Sequence, residues 1–103
     1  MTGTFDDSSI TNVTAEDRLR VFPALPPGNK YELVLFEGYH HAFTDRELSP
    51  LQDPRNPVHH DIIESLTTAF LDAYLKDDLS ARAWLDGDGA RTILLEGDSW
   101  QLK

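Results

Sequence analysis

Residues 31–45 read YELVLFEGYHHAFTD. Four apolar side chains, Leu33 to Phe36, stand in an unbroken row between Glu32 and Glu37. A short run with no polar interruption suits a β-strand covered on both faces, as in a parallel sheet. Gly38 follows, and then His40 and His41 at the strand's C-terminal end. That end is where open α/β sheets place their chemistry. The segment from Gly38 to Arg55 holds Pro50 and Pro54 and reads as a loop. Loops of such length are usually functional or ordered by short helical turns.

Upstream, MTGTFDDSSI reads as a strand end running into a loop, with Gly3 for a tight turn and Asp6, Asp7, Ser8 and Ser9 as loop and cap formers. Thr14 is placed to cap a helix, with Asp17 three residues on. Pro23 disfavours helical geometry at Phe22, so that helix should fray there. The turn LPPGNK leads back to the strand.

Downstream, Asn56-Pro57 is a cap followed by the first helical position. Val58, Ile62, Leu66, Phe70 and Ala73 or Tyr74 repeat at helical spacing, predicting an amphipathic helix to about Lys76. LSARAWL predicts a short helix ended by Gly87 and Gly89, TILLE a short extended segment, and the last residues a loose end. The fold class expected is α/β, in the order loop, helix, buried strand, long loop, amphipathic helix, short helix. One strand makes no sheet, so Leu33–Phe36 is expected to present unpaired backbone and apolar faces.

The chain has 103 residues, the size of one domain, residues 1–103. Its formal charge of −9 speaks against nucleic acid and anionic membrane surfaces as partners, since both need a basic face. The absence of cysteine excludes disulfides, thiolate zinc sites and cysteine nucleophiles. No apolar run approaches a membrane span. MTGTFDDSS has neither the basic region nor the apolar core of a signal peptide.

MTGTFDDS, then YELVLFEGYHHAFTD, then AFLDAYLKDDLSARAWL together resemble the C-terminal part of the α/β-hydrolase superfamily. The branch most similar holds the dienelactone-hydrolase-like, platelet-activating-factor-acetylhydrolase-like and chlorophyllase-like esterases. The resemblance covers nearly the whole chain. It implies a serine–aspartate–histidine triad in that chain order. Asp6, three after Gly3, matches the acid, with Asp7 as its competitor; His41, three after Gly38, matches the histidine. His40 then is a neighbour at the pocket edge. A carboxylate on one imidazole nitrogen fixes the tautomer and frees the other nitrogen as a base.

The family's Gly-x-Ser-x-Gly elbow is absent: Ser8, Ser9, Ser49, Ser65, Ser80 and Ser99 all lack the flanking glycines. An imidazole and a carboxylate alone have nothing to activate. The expectation is an incomplete C-terminal segment, inactive alone, of a parent roughly three times longer that takes a small-molecule ester. The alternative is a non-catalytic remnant or interaction module that associates through its apolar strand and helix. His40-His41 and His59-His60 raise a metal site, but adjacent helical residues point about 100° apart and rarely chelate together. DGDG fails the calcium-loop pattern, because Ala90 and Gly97 stand at ligand positions. No cofactor motif is present.

Overall fold

The computed structural model describes residues 1–8 and 10–103; Ser9, read above as a loop residue, lies outside the described residues. The strand that opens the sequence argument runs Tyr31–Tyr39 (β2) and is central in a three-stranded sheet. On one side lies β1, Thr2–Phe5, parallel to it. On the other lies β3, Ser99–Leu102, antiparallel to it. Two expectations are thereby corrected. The C-terminal residues are paired rather than loose, with Leu33 opposite Trp100. Leu33–Phe36 is no open edge; the edges of the sheet are β1 and β3. TILLE is extended only in part: a 3₁₀ turn over Gly89–Ile93 takes Thr92 and Ile93, and Leu94 after it is extended.

Three of the four apolar residues are covered as expected: Leu33 and Leu35 are fully buried and Val34 nearly so. Phe36 is 49% exposed, because β2 runs on past the core. Leu33 and Leu35 pack with Trp100, with Ile62, Leu66 and Ala73 of α3 (Pro57–Leu75), and with Leu85 of α4 (Leu79–Asp86). The Trp100 indole N–H donates to the Leu85 carbonyl at 3.1 Å, so the ring is buried with its polar atom satisfied. α1 (Ala15–Leu19) packs against β1, and α2 (Val21–Ala24) packs against α1; their buried members are Ala15 and Phe22. These layers agree with an α/β class.

The caps are those the residue types dictate. Thr14 and Asp17 form a reciprocal capping box, and the Asn56 side chain accepts from the Val58 N–H. The Asp78 carboxylate accepts from the N–H groups of Ser80 and Ala81. Between α3 and α4 the chain turns through Asp77 at φ 55°. A left-handed residue just past a helix end is usually glycine. Asp77→Gly is therefore expected to stabilise the chain by about 0.5–1 kcal/mol, read as a higher urea midpoint at unchanged slope.

Between β1 and β2 the pairing is irregular. Gly3 is opposite Leu35, yet Phe5 is opposite Tyr39, so β2 spends four residues where β1 spends two. The surplus sits at Glu37, φ 55°, whose N–H is taken by the Thr4 hydroxyl at 2.8 Å. Such a bulge bends a strand and re-aims the side chains beyond it. Here those are Tyr39 and the histidines. Gly3 and Gly38 pass backbone on backbone at this point: a Cβ on Gly3 would stand 2.0 Å from the Gly38 carbonyl oxygen.

Candidate active site

Asp6 follows the last residue of β1, and His40 the last residue of β2. The two strands are parallel neighbours, so both side chains emerge at the same end of the sheet. Asp6 turns back at once, its N–H donating to the Gly3 carbonyl at 3.1 Å. The carboxylate is buried, with its side chain 4% exposed. The Thr2 hydroxyl donates to its Oδ2 at 2.9 Å. The Arg18 Nε–H donates to the Asp6 carbonyl at 2.8 Å and lies 3.4 Å from Oδ1. A buried carboxylate needs such partners; Thr2 and Arg18 each meet one of its oxygens, and the Arg18 bond to the carbonyl holds the backbone beside it.

The remaining partner is an imidazole. His40 Nδ1 lies 2.8 Å from Asp6 Oδ1. A carboxylate only accepts, so Nδ1 carries the hydrogen and Nε2 is the free lone pair. The His40 side chain is 72% exposed. Asp7, the competitor for the acid position, is used elsewhere: its carboxylate accepts the Ala15 N–H at 2.7 Å, at the start of α1.

The expected pairing of Asp6 with His41 is thus replaced by a pairing with His40. The His41 ring stacks on Tyr39, centroids 5.2 Å apart and 6° from parallel. Its Nε2 is buried without a hydrogen-bond partner among the described residues. Its carbonyl accepts from Arg55 Nε at 2.8 Å, and the same guanidinium reaches the Arg46 carbonyl. The geometry explains the exchange. β2 ends at Tyr39, and a 3₁₀ turn over His40–Phe43 takes the chain on from there. Tyr39 and His41 stack together on one side, and His40 projects to the other, where Asp6 stands.

A cleft of about 590 Å³ opens beside the pair, lined by Phe5, Tyr39, His40, His41 and Ser8 among others. Among the described residues, neither imidazole is hydrogen-bonded to a hydroxyl. The Ser8 hydroxyl holds a turn instead, accepting from the Thr11 hydroxyl at 2.9 Å. The imidazole that Asp6 holds is thus without a hydroxyl partner among the described residues.

His59 and His60 lie apart from this cleft. His60 Nε2 meets Asp45 Oδ1 at 2.9 Å and ties the long loop to α3, while His59 is buried. Among the described residues, no three histidines or carboxylates come together as metal ligands, and no helix is long and apolar enough to cross a membrane. Sequence reasoning missed Arg18 and Thr2 as supports of Asp6, and His40 as its partner. The contacts to Arg18 and His40 span 12 and 34 residues, and no local pattern encodes them. No protein-family model matches the chain, and neither a curated protein nor a solved structure does.

Proposed function

We propose that the chain supplies the acid and the base of a serine-type acyl hydrolase whose nucleophile lies on a segment outside these residues. The parent cleaves a carboxylic ester or related acyl bond. One observation carries the reading: a buried, fully supported carboxylate 2.8 Å from an imidazole nitrogen, at the C-terminal ends of adjacent parallel strands, beside an open cleft. The carboxylate fixes the tautomer. The free nitrogen takes the proton of an attacking hydroxyl and returns it to the leaving alcohol. The resemblance to the α/β-hydrolase superfamily supports the same chemistry.

Which imidazole acts has two readings. The 2.8 Å contact favours His40. The buried, unpartnered Nε2 of His41 favours His41, the residue the resemblance points to, since an incoming serine hydroxyl would satisfy it. A non-catalytic module is the competing function, favoured by the edge strands β1 and β3.

The coding DNA upstream of the Met1 codon decides between the functions. An open frame carrying Gly-x-Ser-x-Gly after a strand pattern is the expected result. A stop codon directly before Met1 would overturn the catalytic reading. The 103-residue chain alone is expected to hydrolyse p-nitrophenyl acetate no faster than its H40A/H41A variant.

A further inference from the structure

The cleft beside the Asp6–His40 pair has a wall of rings in contact. Phe5 and Tyr39 are tilted against each other with centroids 5.3 Å apart, and the His41 ring stacks on Tyr39. All three line the cleft. Ile10, 92% exposed, and Leu48 line it as well. An aliphatic side chain left almost wholly in water beside an exposed Phe5 ring is apolar surface without cover. Charge on the cleft is mixed. Asp7 is engaged with the Ala15 N–H, and Arg46 and Glu47 bring one charge of each sign. These walls suit an uncharged, flat, apolar body, which packs edge to face against Phe5 and Tyr39.

His41 sets the polar requirement. Its Nε2 is buried and has no hydrogen-bond partner among the described residues. A polar atom in that condition is costly until a ligand meets it. A neutral imidazole nitrogen is either a donor or an acceptor, according to the tautomer. A hydroxyl both donates and accepts, so it satisfies Nε2 in either form; a carbonyl or ether oxygen satisfies one form only. Because the atom is out of reach of bulk water, the hydroxyl must arrive on an apolar body that displaces the side chains over it.

We infer that this cleft binds an uncharged aryl alcohol, its ring against Phe5, Tyr39 and Ile10 and its hydroxyl on His41 Nε2. In the proposed hydrolase this is the pocket of the leaving alcohol, a role that rests on the acyl-hydrolase reading with His41 as the base. The serine hydroxyl gives its proton to Nε2 as its oxygen bonds to the acyl carbon. The bond from that carbon to the aryl oxygen then breaks, the aryl oxygen keeps the electron pair, and the proton on Nε2 passes to it. The aryl alcohol leaves neutral, and the acyl group stays on the serine. The substrate class is thereby an aryl ester.

The test is titration of the 103-residue chain with p-cresol, followed by ¹H–¹⁵N NMR of the backbone and of the histidine rings, with toluene as the counterpart lacking the hydroxyl. Saturable shifts at Ile10, Leu48 and His41 Nε2 are expected, with Kd on the order of 1 mM for so small a probe. Toluene should bind about tenfold more weakly and leave the Nε2 signal in place. His41→Phe keeps a ring on Tyr39 without the nitrogens and should erase the preference for p-cresol. Ile10→Ser changes a side chain outside the core, so the fold is not at risk, and should weaken both ligands about threefold. Shifts absent from the cleft, equal affinity for toluene, a preference that survives in folded His41→Phe, or unchanged affinity in Ile10→Ser would overturn the proposal. The upstream coding frame separates this outcome from that of the hydrolase reading. Cresol binding with a stop codon directly before Met1 would keep the binding site and overturn its role as the leaving-alcohol pocket. An open frame with Gly-x-Ser-x-Gly and no cresol binding would keep the hydrolase and overturn the aryl-alcohol pocket.

Discussion

Gly3→Ala is expected to abolish the cooperative fold. The added Cβ would lie 2.0 Å from the Gly38 carbonyl oxygen, 2.5 Å from its carbon and 2.7 Å from its Cα. All three are backbone atoms, so no rotamer change relieves the clash; β1 must leave β2 or the bulge at Glu37 must reform. Overpacking of side chains costs about 1–3 kcal/mol, and a backbone clash sits at or above the top of that range. A domain of this size has only about 5–15 kcal/mol in total. Losing β1 also removes Asp6 and the α1 contacts from the sheet. The measurement is urea unfolding followed by far-UV circular dichroism and by Trp84 and Trp100 fluorescence. Gly28→Ala is the control: its φ is 98°, but nothing lies within 4 Å of the added carbon. It should cost about 1 kcal/mol from backbone strain alone. Equal midpoints for the two variants would remove the Gly3–Gly38 crossing as a determinant of the fold.

The same crossing shows where the sequence stops being legible. The caps at Thr14 and Asn56, the helix over Pro57–Leu75 and the strand through Leu33 were all readable, because each depends on residues a few positions apart. Of the two flanking strands, the first was read only as a strand end and the second as a loose terminus. Thr2–Phe5 and Ser99–Leu102 have four residues each and mixed polarity, and their pairing depends on β2. Glu32 was equally opaque: it is buried because Gln101 Nε2 donates to it at 2.8 Å across the sheet. At the site, counting three residues from Gly3 found the buried Asp6. Counting three from Gly38 led to His41, one residue beyond the imidazole that meets Asp6. Both histidines lie beyond the end of β2, so strand alternation does not assign their faces. The bulge at Glu37 and the 3₁₀ turn at His40–Phe43 set which face each histidine takes. Neither device has a signature in residue types alone.

In the full-length hydrolase proposed above, Asp6→Asn is expected to lower kcat about 10⁴-fold while leaving the fold in place. The amide is nearly the size of the carboxylate. Its oxygen can still accept from the Thr2 hydroxyl, while its NH₂ faces His40 Nδ1. An NH₂ there donates where the carboxylate accepted, so the imidazole must put its hydrogen on Nε2 and loses the free base. The loss should fall on kcat, with KM little changed, because Asp6 is buried and does not line the cleft. Circular dichroism of the variant separates this from unfolding. The two histidines then divide the remaining question. A triad acts as a unit, so the imidazole that partners Asp6 should cost as much as Asp6 itself, and combining the two substitutions should add little. If His40→Ala matches Asp6→Asn and His41→Ala stays within about tenfold of the parent, the 2.8 Å contact is the working pair. If His41→Ala matches instead, its unpartnered Nε2 is the nitrogen that receives the serine proton, and His40 holds the carboxylate only while the nucleophile is missing. If Asp6→Asn leaves kcat within a few-fold of the parent, neither imidazole is oriented by this carboxylate, and the acid–base reading of the chain fails with it.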